Sequence, residues 1–91
     1  MNNQSKILRK AEVIQVTGLS NTSIFERTKD GLFPTSISLG GRAVGYLEHE
    51  VDAVVTARAA GQCDDQVRHL IKLLLKKRQE TVNALLNSLL A

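Results

Sequence analysis

Thr17-Gly18-Leu19-Ser20-Asn21-Thr22-Ser23-Ile24-Phe25 is the stretch on which the reading of the fold turns. Gly18 can take the left-handed conformation that closes a preceding helix, and Leu19 can pack back on that helix's last turn. Ser20 is then a good N-cap, because its hydroxyl can accept from a free amide of the next turn. A helix ends and another begins within four residues, which is the helix-turn-helix pattern.

Upstream, Leu8, Ala11, Val13, Ile14 and Val16 lie among polar residues and suit a short helix from about Arg9. Downstream, the second helix should run from Asn21 to Lys29. Ile24 points inward with Phe25 and Thr28 flanking it, while Asn21, Thr22, Glu26, Arg27 and Lys29 lie nearer solvent. Gly31 stops it and Phe33-Pro34 fixes the exit. The period then switches. Ile37 and Leu39 alternate with Ser36 and Ser38, Gly40-Gly41 reads as a two-residue hairpin turn, and Arg42 to Tyr46 returns as the partner strand. A hairpin that short must pack on helices.

Glu48 to Ala60 reads as a third helix, with Leu47, Val51, Val54, Val55 and Ala59 along one side. Its first-turn acids complement the positive end of the helix dipole. Gly61 ends it, and Asp64 or Asp65 caps a fourth helix to about Leu90, nearly 40 Å long at about 1.5 Å per residue. On that helix Ile71, Leu75, Arg78, Val82, Leu85 and Leu89 alternate spacings of four and three, as an oligomerisation seam does. Arg78 interrupts the seam. Either the helix has two apolar halves with different partners, or Arg78 specifies register at an interface.

The expected fold class is mostly α with a small β-hairpin, a winged helix-turn-helix plus a long C-terminal amphipathic helix. Its parts are a flexible arm over residues 1–6, a DNA-binding domain over 7–61 and an oligomerisation element over 62–91.

Twelve basic and nine acidic residues give a net charge of +3. Lys6, Arg9, Lys10, Arg27, Lys29 and Arg42 concentrate the positive field at the front of the chain, against Glu12, Glu26 and Asp30. A polyanion partner is compatible with that excess. The single Cys63 excludes an intramolecular disulfide and fits a reducing cytosol. No apolar run approaches membrane-spanning length, so a soluble, cytoplasmic protein without a membrane partner is expected. His49 and His69 have no ligand-spaced companions, there is no phosphate-cradling glycine loop, and no serine stands in a nucleophile elbow. Neither catalysis, nor a cofactor, metal or small-molecule substrate is expected.

In a winged helix-turn-helix the second helix enters the major groove and its early residues reach base edges. Here those are Asn21, Thr22 and Ser23, and the capping Ser20 just ahead of them belongs to the same DNA-binding set. Arg27 and Lys29 would sit closer to phosphates, Lys10 could add a phosphate contact from the first helix, and Arg42 could touch the backbone or the minor groove. The partner expected is double-stranded DNA, bound by a homo-oligomer. A Ser-Asn-Thr-Ser run is also an ordinary helix start, and Glu26 adds negative charge nearby. A protein-interaction module on the same fold, with little DNA affinity, is therefore the alternative.

The order Val13-Ile14, Thr17-Gly18-Leu19-Ser20, Ile24-Phe25, Lys29-Asp30-Gly31-Leu32-Phe33-Pro34, Leu39-Gly40-Gly41-Arg42-Ala43-Val44-Gly45-Tyr46, Glu50-Val51 resembles the AlpA family of phage and prophage regulators, related to excisionases and to MerR-type activators. The resemblance covers about residues 7–60. It implies a winged helix-turn-helix that activates or represses transcription on a mobile element and sometimes promotes its excision. It also implies Ser20 as the cap, Thr22 and Ser23 on the groove face, Lys29 near phosphate and Arg42 in the wing. The chain departs from the family's pattern at Asn21, Glu26 and Leu47, where basic residues are common.

Overall fold

The computed structural model describes residues 6–90. The elements are β1 (Ile7–Leu8), α1 (Lys10–Thr17), α2 (Asn21–Lys29), β2 (Ile37–Ser38), β3 (Val44–Leu47), α3 (Glu48–Ala59) and α4 (Asp64–Leu90). Four helices and a small antiparallel sheet enclose one core, and nearly every element contributes to it. Leu8 comes from β1, Val13 from α1, Ile24 from α2, Tyr46 from β3, Val51 and Val54 from α3, and Val67 and Ile71 from α4. Phe33, between α2 and β2, meets Tyr46 edge to face with ring centroids 6.1 Å apart. The expected architecture of short helices, ribbon and long C-terminal helix is present.

The sheet has one strand more than the sequence suggested. Ile7 and Leu8, read as the approach to a helix, pair with Leu47 and Tyr46, giving the order β1-β3-β2. Most of the proposed arm, residues 1–5, lies outside the described residues; Lys6 belongs to the fold, its carbonyl accepting from the Glu48 amide at 2.9 Å. Gly45, in the central strand, sits where a Cβ would overlap the Ile7 Cγ2 and crowd the Leu8 carbonyl at 3.2 Å. That close approach is why a glycine stands there.

The hairpin turn also differs. The Leu39 amide donates to the Ala43 carbonyl at 2.8 Å, so the loop holds three residues, Gly40, Gly41 and Arg42. Arg42 is therefore part of the turn itself, not the first residue of the returning strand.

On α3 the buried side carries Glu50, Val51, Val54 and Ala57, while Val55 and Ala59 are exposed. At α4 the residue ahead of the helix is Cys63 and not an aspartate. Its carbonyl accepts from Val67 and its amide donates to the Gln66 Oε1 at 2.9 Å.

The apolar stripe of α4 divides. Val67 and Ile71 are buried, and Leu70, Leu74 and Leu75 are partly buried against the same core. Beyond Arg78 the domain ends and the helix does not. Val82, Leu85, Leu86, Leu89 and Leu90 are exposed, Leu89 at 71%. Of the six seam residues, Ile71 packs into the chain's own core, Leu75 packs against it, and Arg78 is held by its own domain. Only Val82, Leu85 and Leu89 remain open.

Arg78 forms a bidentate ion pair with Glu50, whose side chain is fully buried. It also donates to the Thr35 hydroxyl at 3.1 Å and to the Thr35 carbonyl at 2.8 Å. Glu50 lies in the first turn of α3, where the helix dipole suits an acid, but its main structural partner is this guanidinium. The pairing fixes where α4 leaves the domain.

Candidate nucleic-acid interface

The turn between α1 and α2 is built as its residue types require. Gly18 takes φ 72°, a left-handed conformation, and its amide donates to the Ile14 carbonyl at 2.8 Å. The Thr17 hydroxyl donates to Val13 at 2.7 Å and accepts from the Leu19 amide at 3.2 Å. Leu19 packs against the core. The Ser20 Oγ accepts from the Ser23 amide at 3.0 Å, which satisfies one of the free donors at the start of α2.

The helix α2 is anchored by Ile24, which is completely buried, with Thr28 half-buried beside it. Residues of a helix advance about 100° each, so Asn21, Thr22, Phe25, Glu26 and Lys29 spread over the sides away from that anchor. All five are exposed. Ser23 and Arg27 behave differently. Both are half-buried, and the Arg27 Nε donates to the Ser23 Oγ at 3.1 Å.

The predicted set on α2 is thus divided between two flanks. Ser20, Asn21, Thr22 and Lys29 are open to solvent. Ser23 and Arg27 instead line a cleft that also includes Glu26, Asp30, Val54, Val55 and Arg58. Cations and carboxylates alternate in this cleft, and Arg58 is already paired with Asp64 at 2.8 Å.

The long helix α4 also reaches the end of α2. The Arg68 Nε of α4 donates to the Asp30 carbonyl at 3.1 Å, placing a cation at the negative end of α2. Arg42 stands exposed in the ribbon's turn, and Lys10 is half-buried as the first residue of α1. The basic residue that joins α1 to the ribbon is neither of these. Arg9, exposed, donates from a guanidinium nitrogen to the Val44 carbonyl at 3.0 Å.

Two features were missed from the sequence. Phe25, expected to flank the buried side, is 64% exposed and carries the Lys29 ammonium 5.8 Å from its ring centroid. Its position four residues after Asn21 and four before Lys29 was the available signal. The bond from Arg9 to Val44 has no sequence signature, since it spans 35 residues.

Among the described residues no group of three or more His, Cys, Asp or Glu side chains is placed to hold a metal ion. No described helix is long and apolar enough to cross a membrane. What the arrangement offers is a rigid helix start with open hydrogen-bonding side chains, and exposed cations on α2 and the ribbon.

A family model described as prophage CP4-57 regulatory protein (AlpA) matches residues 6–58. That span runs from the residue before β1 almost to the end of α3 and leaves α4 outside. The chain is 42% identical over 59 residues to protein ORF88 of Enterobacteria phage P4, covering 65% of this chain and 67% of that protein. It is 36% identical over 66 residues to the DNA-binding transcriptional activator AlpA of Escherichia coli (strain K12), covering 64% of this chain and 94% of that protein. No solved structure matches the chain.

Proposed function

The chain belongs to the AlpA family of prophage regulatory proteins, and on that premise we propose that it is a sequence-specific DNA-binding regulator of a phage, prophage or other mobile element, acting in the cytoplasm. One observation carries the reading. A serine-capped helix, pinned by the fully buried Ile24, leaves Asn21, Thr22 and Lys29 open on its outer sides. Asn21 and Thr22 can both donate and accept, as base edges require, and Lys29 suits a phosphate. Arg42 in the ribbon's turn acts as the wing contact, with Ser23, Arg27 and Lys10 in supporting places. The relative named as a DNA-binding transcriptional activator points the same way.

Binding of the full chain to random duplex DNA, titrated against salt, tests this directly. Affinity should fall steeply with salt. Arg42→Ala should weaken binding about uniformly across sequences and reduce the salt slope by roughly one. Glu26, exposed on the same helix, favours the alternative of a protein-interaction module. Absence of binding at low salt would select it. Footprinting upstream of the protein's own gene and of its neighbours separates transcriptional control from a role in excision.

The regulator acts as a homo-oligomer joined by the distal part of α4. Residues 81–90 carry no charged side chain, so two copies can meet there without like-charge repulsion. Val82, Leu85, Leu86 and Leu89 continue the same helical stripe on which Val67 and Ile71 are buried and Leu75 packs against the core. One small module makes few phosphate contacts, and pairing two of them raises affinity. The full chain bearing Leu85→Ser and Leu89→Ser should sediment as a smaller species and bind its operator more weakly. An unchanged mass would remove the oligomer from the proposal.

A further inference from the structure

We infer that Phe25 is a specificity residue that reads the 5-methyl group of a thymine in the major groove. The inference rests on the DNA-binding reading above and names the base chemistry that its helix takes.

A phenyl ring 64% exposed on a short helix is an odd use of an aromatic in a chain that has only three. The other two, Phe33 and Tyr46, are both buried and meet each other in the core. Leaving a ring in water forgoes the gain that burying it would bring, so a solvent-facing position is ordinarily better served by a polar side chain. Phe25 lies one turn from Asn21 on one side and one turn from Lys29 on the other, and three residues after Thr22. It therefore shares the exposed flank with the residues assigned to base edges and phosphate.

The ring has no donor or acceptor in its plane, so it cannot read the hydrogen-bonding code of the groove floor. On that floor the apolar group presented by an unmodified base pair is the thymine methyl. The Lys29 ammonium, 5.8 Å from the ring centroid, adds a cation beside the apolar surface. A methyl in the groove and a phosphate at its edge match that pair. Asn21, one turn earlier, can take the donor and acceptor of a neighbouring adenine.

The test begins with a duplex selected from a random pool by the full-length protein. Each thymine is then replaced in turn by deoxyuridine, which removes only the methyl group. At one position per half-site the wild-type protein should lose about three- to fivefold in affinity, as expected for one buried methyl. Phe25→Ala should bind thymine and uracil duplexes equally at that position. It should retain the wild-type melting temperature and the wild-type salt dependence on random DNA. Phe25→Leu, still apolar, should keep part of the thymine preference.

The inference is overturned if no thymine position shows the loss, or if Phe25→Ala shows the same loss as wild type. It is also overturned if Phe25→Ala changes the sedimentation mass, which would assign the ring to a contact between copies. Failure of the wild-type chain to bind any duplex at low salt would instead remove the DNA-binding reading, and this inference with it.

Discussion

The part of α4 from Asp64 to Arg78 and the part from Gln79 to Leu90 are both rich in leucine, and an apolar stripe runs along the same side of the helix through both. In the first part that side is covered by α3 and the core, with Val67 and Ile71 buried. In the second it is bare, with Leu85, Leu86, Leu89 and Leu90 all exposed. Between them stands Arg78, clamped to Glu50 and Thr35. A shared apolar stripe thus has opposite energetic meaning in the two parts, and what decides between them is how far the rest of the domain reaches. The bidentate pair at Arg78 marks that limit, and it also sets the direction in which the bare part projects.

The sharpest way to break this contrast is to remove the clamp. Arg78→Ala leaves the fully buried Glu50 carboxylate without its counter-charge, and losing one member of such a pair costs about 3–5 kcal/mol. Urea unfolding should show a loss of that size. A change below about 1 kcal/mol would mean that Glu50 finds water or another donor, and that the boundary lies elsewhere. Ile71→Ala should follow, at about 2–5 kcal/mol, because it opens a cavity in the core. Leu85→Ala and Leu89→Ala, measured at concentrations where the chain is monomeric, should change stability by less than about 0.5 kcal/mol. Isoleucine and leucine carry the same number of side-chain carbons, so equal effects at Ile71 and Leu85 would erase the distinction between the helix's two parts.

The parts of the molecule that the sequence revealed are those governed by near neighbours. The bounds of α2 follow from Ser20 and Gly31, and both effects operate within one turn. The stop of α3 ahead of Gly61, which takes a positive φ, is of the same kind. What stayed hidden depends on residues far apart in the chain. Ile7–Leu8 is too short to show an alternating pattern, and it is a strand only because β3 supplies partners. Glu50 and Arg78 are separated by 28 residues, so neither announces the other. The loop at Gly40 to Arg42 is one residue longer than its sequence suggests, because two adjacent glycines suit a two-residue turn as well as a three-residue one. Within the candidate interface, the chain order of Ser20 to Lys29 was legible, whereas its division between two flanks was not. That division follows from the single buried anchor at Ile24 and the side-chain bond from Arg27 to Ser23.

The two outer strands of the sheet, Ile7–Leu8 and Ile37–Ser38, are only two residues each, and both sides of the central strand are already paired. A stray chain laid alongside either margin would find too short a row of amides and carbonyls to latch on to, which is a known safeguard against fibril growth. The sheet therefore offers no margin from which runaway sheet formation could be seeded. Accumulation to high levels is correspondingly safer for a protein whose last helix already bears a bare leucine surface.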